Sequence, residues 1–156
     1  AEPLLRATAG ALPVSPERRA VVHGDLHHHH FLLADDPAGP AGRARVTAVL
    51  DFDNLHVGDR LLDLAWVAET AGRAGGAPGA ARDALGHFRT AARGAGLIDG
   101  TDLPLLMPVL IAHAVPVLVD IAKDILERDL LAPAWLSYFE LLDTERRLRL
   151  HRLLTG

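Results

Sequence analysis

The feature that most limits what this chain can fold into is a change of pattern near Asp59. Upstream, three short aliphatic and β-branched runs, Ala20–His23, Phe31–Ala34 and Arg45–Leu50, are separated by polar or Gly/Pro-rich segments, the pattern of strands joined by turns. Asp35–Gly42, with Pro37, Gly39, Pro40 and Gly42, predicts the turn of a hairpin. Downstream, Leu61, Leu62, Leu64, Ala65, Val67 and Ala68 make an apolar stripe that predicts a helix over about 60–73. The Gly/Pro cluster from Gly72 to Gly79 ends it, and a second helix is expected over about 80–95. A third opens near Asp102 as N-cap, with Pro104 in its first turn, and runs to about Arg128; a fourth runs from Ala132–Pro133 to about Leu153. A short helix over Leu4–Leu12 is expected to stop before Pro13 and Pro16. The predicted class is mixed α+β and mostly helical, one small sheet packed on four helices.

At 156 residues, 49% of them hydrophobic, the chain can bury one core without disulfides or a structural metal. It has no cysteine, which excludes thiolate metal sites and cysteine nucleophiles. Net charge is −4 and no segment concentrates arginine as a binder of phosphate backbones would, so nucleic acid is a poor partner. The most apolar stretch, Leu103–Val119, is interrupted by Pro104, Pro108, His113 and Pro116 and reads as too short and broken for a membrane span. The first residues lack the pattern of a secretory signal, and a cytoplasmic location is expected.

The chemistry concentrates in Val21–Leu33, which holds His23, Asp25 and the run His27–His30, and in Val46–Asp53 and Val57–Ala65. A strand ending at His23, a glycine-permitted turn and a returning pair of strands would bring Asp25, His30 and Asp51 to one end of a small sheet. Carboxylates crowded in this way repel and raise one another's pKa unless a cation or hydrogen bonds compensate. Asp25, Asp51 and Asp53 therefore point to a metal or phosphate-metal site. If the histidine run is extended, His28 and His30 share one face and His27 and His29 the other. His28 and His29 also suit a solvated loop, and His113 a core position. Asp120, Asp124 and Glu127 fall on one helical stripe; such a stripe is by default solvated, and otherwise a cleft wall for an amine-bearing acceptor.

His23-Gly24-Asp25-Leu26-His27, His30, Leu50-Asp51-Phe52, Gly58-Asp59 and Asp63-Leu64-Ala65 stand in an order and spacing that resembles the aminoglycoside phosphotransferase family of small-molecule kinases, relatives of the protein kinases. The resemblance implies the C-terminal lobe of a protein-kinase-like fold, with catalytic and metal loops over 20–65 and a helical substrate-side region over 66–156, in a single domain. It implies Asp25 as the catalytic aspartate that takes the acceptor proton, and Asp51 as the ligand of Mg²⁺ (or Mn²⁺) on the phosphates of ATP or GTP. His30 stands where most of the family has asparagine as second metal ligand; macrolide phosphotransferases are similar in placing histidine there. His28 and Asp53 are further candidate ligands, and the histidine-rich loop a candidate site for Zn²⁺ or Ni²⁺. His23, His27 and Asp63 would support the loop. Asp120, Asp124 and Glu127 are the candidate substrate residues for an antibiotic-like or amino-sugar-like acceptor. Such kinases also carry an N-terminal lobe whose lysine pairs with nucleotide phosphates. The only lysine here is Lys123, far past the motif, so that lobe is expected to be missing and supplied in cis or in trans. Two other readings stay open: a repurposed lobe acting as a metal-dependent biosynthetic enzyme, and a non-catalytic binding module.

Overall fold

A computed structural model describes residues 15–36, 44–75 and 77–156. The expected helix over Leu4–Leu12 and most of the turn over Asp35–Gly42 lie outside the described residues. The strands are β1 (Arg19–Val22), β2 (Phe31–Asp35), β3 (Ala44–Val49) and β4 (His56–Asp59); the helices are α1 (Leu61–Gly72), α2 (Ala80–Gly94), α3 (Leu106–Arg128), α4 (Leu136–Phe139) and α5 (Thr144–Thr155). The fold is α+β and mostly helical, as expected. Its β part is two antiparallel pairs rather than one small sheet: β2 with β3, and β1 with β4.

The strand that pattern reading misses is β4. Its sequence, His-Val-Gly-Asp, is too short and polar to announce itself, and it exists because β1 offers an edge: Arg19 faces Asp59 and Val21 faces Val57. This pairing brings the two ends of the segment 23–55 together, so the Asp25 loop and the Asp51 turn start from one short ladder. The Arg18 guanidinium 3.2 Å from the Asp59 carboxylate reinforces the closure. The β2–β3 pair has an irregularity at Leu32/Leu33, where strand register shifts.

The core lies among the helices. Leu61, Ala65 and Trp66 of α1, Leu85 and Phe88 of α2, Leu106, Leu110 and Ala114 of α3, and Leu150 and Leu154 of α5 form one buried cluster. Gly72 explains how closely α1 and α5 approach, since a Cβ there would collide with the Leu150 side chain. Asp102 does not cap α3 as expected. Its own backbone is helical, and its buried carboxylate instead accepts from Arg60 at 2.8 Å and from the Asp99 amide at 3.2 Å. A 3-10 turn, Leu103–Leu105, leads into α3. Together they are long and apolar enough to cross a membrane by length and composition, although Leu106, Leu110, Ala114 and Leu118 are buried in the core. The expected last helix is in pieces: the 3-10 turn Pro133–Trp135, α4, a second 3-10 turn Glu140–Leu142, and then α5. The break falls at Asp143, whose extended backbone and carboxylate cap α5 by accepting from the Glu145 and Arg146 amides.

Candidate active site

The loop after β1 is fixed by hydrogen bonds before any ligand is considered. Gly24 takes φ 85°, a left-handed conformation that glycine adopts without strain, and a Cβ there would lie 2.7 Å from the Asn54 carbonyl oxygen. From α1, Asp63 accepts from two successive amides of this turn, His23 at 2.7 Å and Gly24 at 3.0 Å. The buried His23 ring donates from Nε2 to the Leu50 carbonyl at 2.8 Å, which ties the loop carrying Asp25 to the residue before Asp51. A carbonyl only accepts, so the proton sits on Nε2 and Nδ1 is left facing the Asp25 amide at 3.4 Å.

The histidine run is not extended. His28–His30 is a 3-10 turn, so the face rule for a strand fails and residues three apart meet instead: the His27 and His30 rings stack at 3.8 Å. His30 Nδ1 donates to the Asp25 carbonyl at 2.7 Å. That bond leaves Nε2 facing Asp51, whose Oδ2 is 3.3 Å away. His27 has the opposite arrangement. Its Nδ1 accepts from the His29 amide at 3.2 Å, so its proton lies on Nε2, which is 3.7 Å from Asp25 Oδ2 and outside hydrogen-bond reach. Asp25, His27 and His30 offer ligand atoms within 4.8 Å of one another. The two rings are held differently: His30 by a bond from Nδ1 to the Asp25 carbonyl, His27 by a bond to Nδ1 from the His29 amide. Burial pulls the His27 pKa down, against the raising effect of Asp25 and with the neighbouring histidines adding to the lowering.

Asp51 occupies a left-handed conformation, φ 63° and ψ 66°. Non-glycine residues are uncommon there and concentrate at functional sites. Its side chain is half exposed. Asp25, His27, His29, His30 and Asp51 line one cavity of about 540 Å³, whose far wall comes from Val117, Asp120, Ile121 and Asp124 of α3 and from Trp135 and Tyr138. Glu127, exposed further along α3, does not line it, and neither do His28 and Asp53. His28 sits over a separate small cavity with Trp66, Glu69 and Arg73, and Asp53 is exposed on the turn Phe52–Asn54. Asp120 and Asp124 are paired along their helix with Lys123 at 3.5 Å and Arg128 at 2.8 Å.

Sequence reasoning misses Trp135 and Tyr138. They lie in an apolar stretch without a motif, and only the folding of 133–142 over the site brings them there. Tyr138 donates its hydroxyl hydrogen bond to Asp25 Oδ1 at 2.8 Å. Burial, that bond and the charges of Asp25 and Asp51 push its phenol pKa far up.

No curated protein and no solved structure matches the chain. Residues 1–97, which contain the Asp25 loop, the Asp51 turn and Asp63, match the phosphotransferase enzyme family (APH). With the motif residues assembled around one cavity and that match covering more than half its length, the chain belongs to the phosphotransferase enzyme family.

Proposed function

We propose that this chain carries the catalytic half of a kinase that moves the γ-phosphoryl group of ATP or GTP to a hydroxyl of a small molecule, with Mg²⁺ or Mn²⁺. The observation that supports it best is the meeting of Asp25, His30 and Asp51, from two separated segments, on one cavity. The donor set suits a divalent cation: an imidazole whose other ring nitrogen is held by the Asp25 carbonyl, and a half-exposed carboxylate 3.3 Å from it. His30 and Asp51 would hold the ion, which neutralises charge on the nucleotide phosphates when bound. With imidazole in place of an amide oxygen, Mn²⁺, Zn²⁺ or Ni²⁺ should bind the chain at least as well as Mg²⁺, which prefers oxygen. Asp25 orients the acceptor hydroxyl and takes its proton.

The opposite wall suggests the acceptor. Asp120 and Asp124 beside Val117, Ile121 and Trp135 fit an amine-bearing molecule with an apolar body, of antibiotic or amino-sugar type. The acceptor amine would compete with Lys123 and Arg128 for these carboxylates. Lys123 is exposed on α3 and pairs with Asp120, so in this reading the phosphate-pairing lysine comes from a nucleotide lobe acting in cis or in trans, in the cytoplasm.

In the protein carrying that lobe, Asp25→Ala should lower acceptor-dependent nucleotide consumption by about 10²–10⁴-fold. Turnover within a few-fold of the parent would remove Asp25 as the base. Calorimetric titration of the chain with Mn²⁺ and Mg²⁺ should show a preference for Mn²⁺ that is lost in His30→Asn; an unchanged preference would take His30 out of the ligand set.

A further inference from the structure

A carboxylate base works best when one oxygen is turned to the acceptor and the other is held still. Tyr138 Oη lies 2.8 Å from Asp25 Oδ1 across 113 residues of sequence. An ionised carboxylate has only lone pairs, so the phenol is the donor. The Tyr138 ring is itself held from two sides, edge-on to Trp66 at 5.7 Å and to His27 at 6.1 Å. Trp66 is part of the buried core, and His27 belongs to the catalytic loop. A ring with two torsions between such neighbours places its hydroxyl with little freedom. The other oxygen, Oδ2, is 3.7 Å from His27 Nε2, beyond hydrogen-bond reach, and so keeps its lone pairs. Both Asp25 and Tyr138 line the cavity.

We propose that Tyr138 is a positioning residue for the base: its hydroxyl clamps Asp25 Oδ1 and leaves Oδ2 as the oxygen that meets the acceptor hydroxyl. The inference rests on the phosphotransfer reading above. As the acceptor oxygen bonds to the γ-phosphorus and the bond to the nucleoside diphosphate breaks, the acceptor proton passes to Oδ2. Tyr138 keeps its own proton throughout, since burial and the adjacent carboxylates strongly oppose the phenolate.

The chain has one tyrosine, so its phenolate absorbance reports this hydroxyl alone. On raising the pH, that absorbance should appear well above the ordinary value of about 10. It should appear at lower pH in Asp25→Asn, with far-ultraviolet dichroism on the same samples showing that both remain folded. Coincident curves would overturn the clamp. In the protein with its nucleotide lobe, Tyr138→Phe keeps the ring and its packing. It should lower kcat about 10-fold while the acceptor KM stays within about 2-fold. An unchanged kcat, or a change confined to KM, would overturn the positioning role. A displaced phenolate curve in a protein that transfers no phosphoryl group to any acceptor would support the clamp and overturn the phosphotransfer reading, so the two ideas fail separately.

Discussion

Asp63 shows how one carboxylate can organise a loop it does not belong to. By accepting from the His23 and Gly24 amides at 2.7 and 3.0 Å, it holds the turn that aims Asp25 into the cavity. A hydrogen-bond acceptor lost from partly buried donors leaves them unsatisfied, at about 1–3 kcal/mol. Asp63→Ala should therefore lower the unfolding free energy by about 2 kcal/mol, read from the urea midpoint. The His23 and Gly24 amides should lose hydrogen-exchange protection more than those of α2. Equal protection in variant and parent would show that backbone geometry alone holds the turn. The sequence motif made Asp63 a candidate support, but its two-amide grip depends on where α1 begins, directly after β4.

Among the elements, the contact of α1 with the C-terminal segment depends on a buried charge. Glu69 is 1% exposed and is paired with Arg73 at 2.8 Å and with Arg146 at 2.6 Å; both arginines also reach Glu140, at 2.9 and 3.0 Å. Burial works to lower the Arg73 pKa, yet the hydrogen bond and charge of Glu69, with Glu140, outweigh it and the net shift is upward. The network joins α1, the turn Glu140–Leu142 and α5, and so steadies the segment that delivers Trp135 and Tyr138. Removing one partner of a buried pair costs about 3–5 kcal/mol, whereas a half-exposed one contributes about 1 kcal/mol or less. Glu69→Ala should thus destabilise far more than Glu140→Ala in denaturant unfolding. Equal effects would mean that the network is surface decoration. No pattern in the sequence pairs Glu69 with Arg146, since the two are 77 residues apart.

The whole molecule should lose stability on acidification below neutrality. His113, half-buried on α3, has its pKa lowered by burial, partly offset by Asp25, with His56 adding to the lowering; His151 is lowered by burial as well. A histidine with a depressed folded-state pKa binds its proton more readily in the unfolded chain, so stability is present above the unfolded value of about 6.5 and is lost as pH falls through that value toward the folded one. The urea midpoint should fall between about pH 7.5 and pH 5, and His113→Asn should flatten that slope. A midpoint that rises on acidification would reverse the sign of this linkage.

The sequence by itself determined the class, three of the four strands, and the extents of α1 and α2, because those depend on local periodicity and on Gly and Pro as breakers. It also singled out Asp25, His30 and Asp51, which the structure brings to one cavity from two separated segments. Only the tertiary structure decided which groups meet. The 3-10 turn at His28–His30 exchanged the partners within the histidine run, bringing His27 against His30 and sending His28 to another face. The pairing of β4 with β1, the grip of Arg60 on Asp102 in place of a helix cap, and the arrival of Tyr138 at Asp25 each depend on residues far apart in the sequence. Local propensity carries no record of such contacts. They exist because burying the apolar faces of the helices fixes where the ends of those helices lie, and the polar groups carried there then satisfy one another.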